Sequence, residues 1–326
     1  MGLKEYILRR GVETLVAFFV LITLGFYMFR VMPGDPTAFL LLNPNISPET
    51  RALLKQRLGL DSPLHIQYFY YIKNFIMGEF GYSFQYGRPV LGLIFSYRLI
   101  NTLILVGSST ILAILIGLFL GIIAASRRTS FLDVSLLVFS LAFNSMPSFW
   151  LGMLLLLVLG VYMGLFPLGG TLSLNVGGNI VSLIADYLWH ITLPVTVLTL
   201  IQIGYNFLIA RTVLIDVLTE SYIVTARAKG VPERLVLLRH ALRNAMLPLI
   251  TVIALQLAGI FTGAVITETV FSWDGLGTLL YEAVDTRDYP LLQGLYAVIT
   301  IVFLVANYVT DVLYAFIDPR VRYGGE

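Results

Sequence analysis

Residues 99–125, LINTLILVGSSTILAILIGLFLGIIAA, hold no charged side chain, and Arg127 and Arg128 follow almost at once. About 20 apolar residues in a row are enough for a helix to cross the hydrocarbon of a bilayer. There every backbone N–H and C=O must find its partner inside the protein, which leaves helices or closed barrels. Comparable runs recur at 11–31, 131–160, 189–213, 246–270 and 291–316. They predict an all-α polytopic membrane protein with six transmembrane helices. Composition agrees: the 326 residues are 58% hydrophobic and 12% charged, where soluble domains are roughly a quarter charged.

The opening MGLKEYILRRG looks like the basic start of a signal peptide. However, the apolar run after it is too long and no small-residue cleavage site precedes Arg30, so it reads as a retained first span. Arg9 and Arg10 favour a cytoplasmic N-terminus, and most of the 21 Lys and Arg fall on the same side. Both termini are therefore expected in the cytoplasm and the chain in the cell membrane. The division is 1–31 (N-terminal end and span 1), 32–98 (a small extracytoplasmic helical subdomain), 99–317 (the core, with a loop at 221–244) and 318–326 (a cytoplasmic tail). In 32–98, Pro33-Gly34-Asp35-Pro36 is a turn cluster and Ser47-Pro48-Glu49-Thr50 opens a helix. A second helix over 63–77 is aromatic. Its tyrosines suit an interfacial belt or pack on neighbouring spans. Pro147 in NSMPSFW predicts a kink or break in span 3. The outer loops are 161–188 and 271–290. The acids of the latter, Asp274, Glu282, Asp285 and Asp288, either guide a docking partner or are simply solvated.

The most densely charged stretch is 221–248, SYIVTARAKGVPERLVLLRHALRNAMLP, set between two long apolar runs. Gly230 suits the end of one helix and Pro232 the opening turn of the next. Glu233 falls in that opening turn, where the helix dipole favours an anion, while Arg239 and Arg243 come late, where it favours cations. At helical spacing Leu235, Leu238, Leu242 and Ala245 share one arc, which predicts a short amphipathic helix held between spans 4 and 5. Two readings stand: a basic loop obeying the positive-inside rule, or a docking element for a soluble partner.

Signs of catalysis are missing. The chain has no cysteine, and its three histidines (His65, His190, His240) fall in separate segments without an HExxH pattern, so no metal site or thiol chemistry is expected. None of the lysines follows the glycine of a phosphate-binding P-loop, and no serine sits in a Gly-x-Ser-x-Gly elbow. A net charge of +2 gives no reason to expect nucleic acid. No ionisable residue lies at the centre of a span, where one costs about 3 kcal/mol and is kept for coupling or gating. Asp133, Asp216, Glu268 and Asp311 all fall towards span ends. A stand-alone secondary transporter usually carries such a buried carboxylate, and no internal repeat of the kind many such carriers show is evident. The neutral residues Asn144, Gln202, Asn206 and Gln256 read singly as glue between helices and together as the lining of an uncharged passage. The chain reads as a conduit without an engine, powered from outside by whatever docks on 221–244.

Several pieces of the chain, in order, carry a resemblance. They are MPGDP (32–36), LGLDSPLHIQY (58–68), GEFGYSF (78–84), GRPV (87–90), MPSFWLGM (146–153), TARAKG (225–230), LLRHALRNAMLP (237–248), ETVFSWDGLG (268–277), RDYPLLQG (287–294) and DPRVRYG (318–324). Together they resemble the integral membrane subunit of binding-protein-dependent ATP-binding-cassette importers of the dipeptide/oligopeptide type. The family's cytoplasmic signature is Glu-Ala-Ala-x-x-x-Gly, then nine residues and Ile-x-Leu-Pro. Ala226 and Gly230 match it. Val224 stands at the glutamate, Thr225 at the first alanine, and Leu247–Pro248 comes five residues late, a departure shared by the peptide-type permeases. The resemblance implies the type I importer fold and half of a translocation passage. It implies four partners besides the bilayer: a second related permease, two ATPase subunits and an outer solute-binding protein that meets 32–98, 161–188 and 271–290. ATP and Mg would belong to the ATPases, and this chain would hold no cofactor and be no enzyme. It makes 221–244 the coupling segment, with Ala226, Gly230, Leu235, Arg239 and Arg243 as candidate ATPase contacts. Peptides are the first expectation for the solute; an oligosaccharide, glutathione or a nickel chelate fits the same architecture.

Overall fold

The computed structural model describes residues 3–31, 62–174, 176–260 and 264–317. The turn cluster at 33–36, the helix expected from Ser47 and the tail at 318–326 lie outside the described residues. Among the described residues four helices are long and apolar enough to cross a bilayer: α1 (Leu3–Val31), α4 (Tyr97–Ser126), α7 (Ile180–Leu218) and α12 (Tyr289–Ile317). Two further crossings are bent pairs, which makes six when each pair counts as one. The first joins α5 (Phe131–Asn144) to α6 (Ser148–Leu155), which runs on as a π-helix over Leu156–Tyr162. Its two arms meet at 98°, at the expected Pro147. That proline serves as the N-cap of α6 and cannot continue a helix from α5. The second is α9, which opens as Glu233–Leu235, widens to a π-helix over Val236–Ala241 and continues as Leu242–Gly259. It bends by 49° before Pro248.

The short helices are α2 (Leu64–Met77), α3 (Val90–Ile94), α8 (Ser221–Ala228), α10 (Val265–Val270) and α11 (Leu276–Asp285). The aromatic face of α2 divides the two expected roles of its tyrosines. Tyr68 bonds Thr23 at 2.7 Å and Phe75 packs on Phe18, so α2 runs antiparallel along α1. Phe69 and Tyr70 are exposed on the other side.

Three spans differ from their sequence boundaries, the first because its helix begins at Leu3, not 11. Span 4 begins at Ile180, not 189, because Asn179 caps the helix on Val181 N–H (3.1 Å). Asp186, which interrupts the apolar run, accepts both Ser173 N–H and Ser173 Oγ–H at 2.7 Å. Residues 180–188 of the outer loop at 161–188 are therefore helix. Span 5 does not run to 270. Its helix ends at Gly259, and α10 is a separate element packed on α6 and α11.

α4 and α7 form the most extensive helix pair. They run parallel, from Asn101 beside Tyr187 (3.1 Å) to Gly121 beside Ala210. A Cβ on Gly117 would lie 2.4 Å from Asn206 Cβ, and one on Gly121 would lie 2.6 Å from Ala210 Cβ. This Gly-x-x-x-Gly spacing is what lets two helix backbones close up in a membrane. α1 lies against α12, with Tyr308 OH on Ile7 carbonyl (3.4 Å) at one end and Tyr296 OH on Leu21 carbonyl (3.0 Å) towards the other.

At the end of the bundle where α4 begins, the chain is stitched tightly. Arg98 bridges Asp274 (2.8 Å) and Glu282 (3.1 Å). Ser83 and the Gln85 N–H (3.1 Å) donate to buried Asp288. Glu268, fully buried, accepts Thr102 Oγ1–H (2.8 Å), Gly277 N–H (2.7 Å) and Thr278 N–H (3.2 Å). It thereby caps α11, whose own N-cap is Gly275. Tyr86 donates to Glu282, and burial, then that carboxylate, pushes its phenol above the ordinary range. The reading of these acids as simply solvated is corrected here. Asp274, Glu282 and Asp288 are held by the chain's own residues, leaving Asp285 exposed.

Candidate functional site

Three of the four candidate passage residues come together midway along the bundle. Asn206 on α7 and Gln256 on α9 form a reciprocal amide pair: Asn206 Nδ2–H donates to Gln256 Oε1 (3.1 Å) and Gln256 Nε2–H to Asn206 Oδ1 (2.9 Å). Asn206 Nδ2 also donates to the Gln202 carbonyl (3.0 Å), and Thr110 on α4 donates to Gln202 Oε1 (3.3 Å). The cluster joins α4, α7 and α9 through neutral groups. Asn206 is buried, and the two side-chain amides satisfy each other without a charge. In hydrocarbon such a bond is worth about 1 kcal/mol. Asn144 does not join them. It is the last residue of α5, exposed at the 98° break.

The second site is the turn of chain beyond α7. Thr219 and Glu220 alone separate α7 from α8, and Lys229–Pro232 separate α8 from α9. Gly230 takes φ +73, and its N–H bonds the Arg227 carbonyl (2.9 Å) while Val231 N–H bonds Ala226 carbonyl (3.3 Å). This is the left-handed helix ending that glycine adopts without a Cβ penalty. Pro232 is the N-cap of α9, one residue earlier than its expected place in the first turn. Ile223 and Ala226 of α8 are buried against Ala210, Leu214, Val236 and Ala241. Full burial of the Ile223 side chain contributes about 2 kcal/mol. Asn244 Nδ2–H donates to Tyr222 OH (3.0 Å), tying α8 to α9 as well.

The expected arc on α9 holds at Leu242 and Ala245, which pack in the core, and is corrected at its first two positions. Leu235 and Leu238 are each 48% exposed, and the buried positions are Val236, Ala241, Ala245 and Leu249. The reason is the π-helical turn. Leu242 N–H bonds Leu237 carbonyl, five residues back, which inserts one residue and turns the residues before it out of register with Leu242 and Ala245. The short helix expected here is also not separate, since it runs on into span 5.

Of the candidate coupling residues, Ala226 faces inward (8% exposed), and Gly230, Leu235, Arg239 and Arg243 are exposed. The outer face of α8 presents Tyr222, Val224, Thr225 and Arg227. Arg227 pairs with Glu233 through two bonds, 2.6 and 3.1 Å, and reaches the Leu218 carbonyl at 3.5 Å.

Sequence reasoning missed two features. Arg211 on α7 makes a two-pronged bond to Asp133 on α5, 2.6 and 2.8 Å, with Asp133 1% exposed. Ser130 accepts Asp133 N–H (3.2 Å) and Asp133 accepts Thr129 N–H (3.0 Å). The signal was Ser130-x-x-Asp133, a capping-box spacing. The other was Gly117-x-x-x-Gly121 in an apolar helix.

Comparison with known proteins covers nearly the whole chain. Residues 117–323 match the family described as "Binding-protein-dependent transport system inner membrane component". Residues 3–106 match the N-terminal part of such membrane components. The chain is 37% identical over 322 residues to the oligopeptide transport system permease protein AppB of Bacillus subtilis, covering 98% of this chain and all of that one. It is 38% identical over 319 residues to the glutathione transport system permease proteins GsiC of Salmonella typhi and Escherichia coli, covering 98% of this chain and 99% of each. With its bent pairs, its interhelical amide cluster and its short helix clamped between two spans, the chain belongs to the binding-protein-dependent transport system inner membrane component family, the membrane permeases of ABC importers.

Proposed function

We propose that this chain is the permease subunit of a peptide-type ABC importer and forms half of the passage for a small peptide. The observation that carries this reading is near full-length likeness to permeases whose names specify oligopeptides and glutathione, itself a tripeptide. A second related permease supplies the other half. An external solute-binding protein delivers the peptide, and two ATPase subunits, with ATP and Mg, supply the work. Both termini lie in the cytoplasm, and so does α8.

The coupling follows from how α8 is held. It is joined to α7 by two residues and to α9 by four, and its inner face is locked on both. A partner that grips the outer face and moves as a rigid body shifts both spans together. Ala226 acts by packing, and Tyr222, Val224, Leu235, Arg239 and Arg243 meet the ATPase. The Asn206–Gln256 pair lies on the same two helices and changes partners when they part, which exposes neutral amides to a passing peptide. Asn144 and Gln202 line the same route.

The test is Gly230→Val in the complete transporter reconstituted in vesicles. A β-branched residue at φ +73 is strained, so the ending of α8 distorts. Peptide uptake should fall at least about tenfold, equivalent to about 1.4 kcal/mol of lost coupling, while ATP hydrolysis continues. Uptake at the normal rate per ATP contradicts the reading.

A further inference from the structure

Where α4, α7, α8 and α9 meet at the arginine-rich end of the bundle, they enclose a cleft of about 510 Å³. Its floor is apolar: Ala125, Ile215, Leu218 and Leu237. Its rim carries Arg127, Arg128, Arg227 and Arg234 against a single acid, Glu233. Arg227 is already engaged by Glu233. Arg128 lies within electrostatic reach of Asp133, whose carboxylate Arg211 already holds. Among the described residues no carboxylate pairs with Arg127, Arg128 or Arg234, and all three are exposed.

We propose that this cleft is a binding site for the headgroup of an anionic phospholipid. Three observations combine. The first is charge: three guanidinium groups with no ion-pair partner among the described residues line one cavity, and a guanidinium fork matches phosphate oxygens two at a time. The second is depth. α4 has 30 residues, about 45 Å of helix, which matches the roughly 40–45 Å of a bilayer with its headgroups. Arg127 and Arg128, just past its end, therefore sit at headgroup level. The third is the floor, which offers apolar surface beneath the charges, as the glycerol and first methylenes of a lipid require. Basic pockets between spanning helices are where such headgroups bind. An acidic side chain of a docking protein would meet the same arginines, but depth and floor both favour lipid. The bound phosphate bridges the end of α4 to the α8–α9 turn.

The experiment is native mass spectrometry of the full chain released from nanodiscs of mixed phosphatidylglycerol and phosphatidylcholine. The unaltered chain should retain phosphatidylglycerol in preference. Arg127→Gln with Arg128→Gln and Arg234→Gln should weaken retention about a hundredfold, near fivefold per arginine. The same three positions changed to Lys should keep it, as should Arg239→Gln with Arg243→Gln, which lie outside the cleft. Equal retention by the glutamine variant overturns the proposal, as does equal loss in the Arg239/Arg243 variant. Removal of the lipid by an equal concentration of inorganic phosphate makes this a free-phosphate site and also overturns it. Loss of the lipid whenever an ATPase subunit is bound identifies a protein carboxylate as the occupant and does the same. A photoactivatable phosphatidylglycerol on the unaltered chain gives a readout independent of any variant. Adducts within 125–128 and 215–237 support the site, and adducts confined to other segments refute it.

Discussion

The two ends of the bundle use the same residue types to opposite effect. At the end where α4 begins, Arg98 is 13% exposed and clasps two carboxylates, Glu268 and Asp288 are buried, and Trp273 is sealed beneath them. At the other end the Arg227–Glu233 pair is 42% and 65% exposed, α9 widens to a π-helix within its first turn, and three arginines have no ion-pair partner among the described residues. Buried, fully bonded charge fixes a structure, because breaking any one bond strands the others out of water. Exposed pairs fix little. One end holds its shape; under the proposed function the other is the end that a partner grips and moves.

That contrast can be broken by substitution. Glu268→Ala has the largest expected effect. It orphans Thr102 Oγ1–H and two backbone N–H groups at the start of α11, a loss of about 3 kcal/mol, read as a lower unfolding temperature in detergent. Arg98→Gln follows at about 2 kcal/mol, moderated because Asp274 and Glu282 are each about a third exposed. Between the two ends, Asn206→Leu or Gln256→Leu alone should cost about 1 kcal/mol. The double variant should lose less than the sum, since no amide is left unpaired. If the pair is glue alone, that double variant transports normally; if it also lines the passage, uptake falls with stability intact. Arg227→Gln is the smallest, under about 0.5 kcal/mol. Should Arg227→Gln destabilise the chain as much as Arg98→Gln, the contrast between the ends is wrong.

Much of this was legible in the sequence because bilayer physics is strict. The spans, the break at Pro147, the helix ending at Gly230 and the neutral amides of Gln202, Asn206 and Gln256 all follow from local patterns. What escaped depends on partners far along the chain. Asp274, Glu282 and Asp288 look solvated until Arg98, Tyr86 and Ser83 are brought to them. Asp186 looks like the end of a loop until Ser173 bonds it. The face of α9 was misread because hydrophobic spacing assumes a regular helix, and one extra residue at 236–241 turns Leu235 and Leu238 outward.

The most direct measurement uses the lack of native cysteine. Spin labels are placed at Tyr82 and Tyr281 across the stitched end, and at Ser126 and Val224 across the gripped end, all four exposed. Distances are read in the assembled transporter with and without a non-hydrolysable ATP analogue. A shift between Ser126 and Val224 with Tyr82–Tyr281 unchanged is the expected result. A fixed Ser126–Val224 distance, or motion confined to Tyr82–Tyr281, would contradict the claim that force enters through α8.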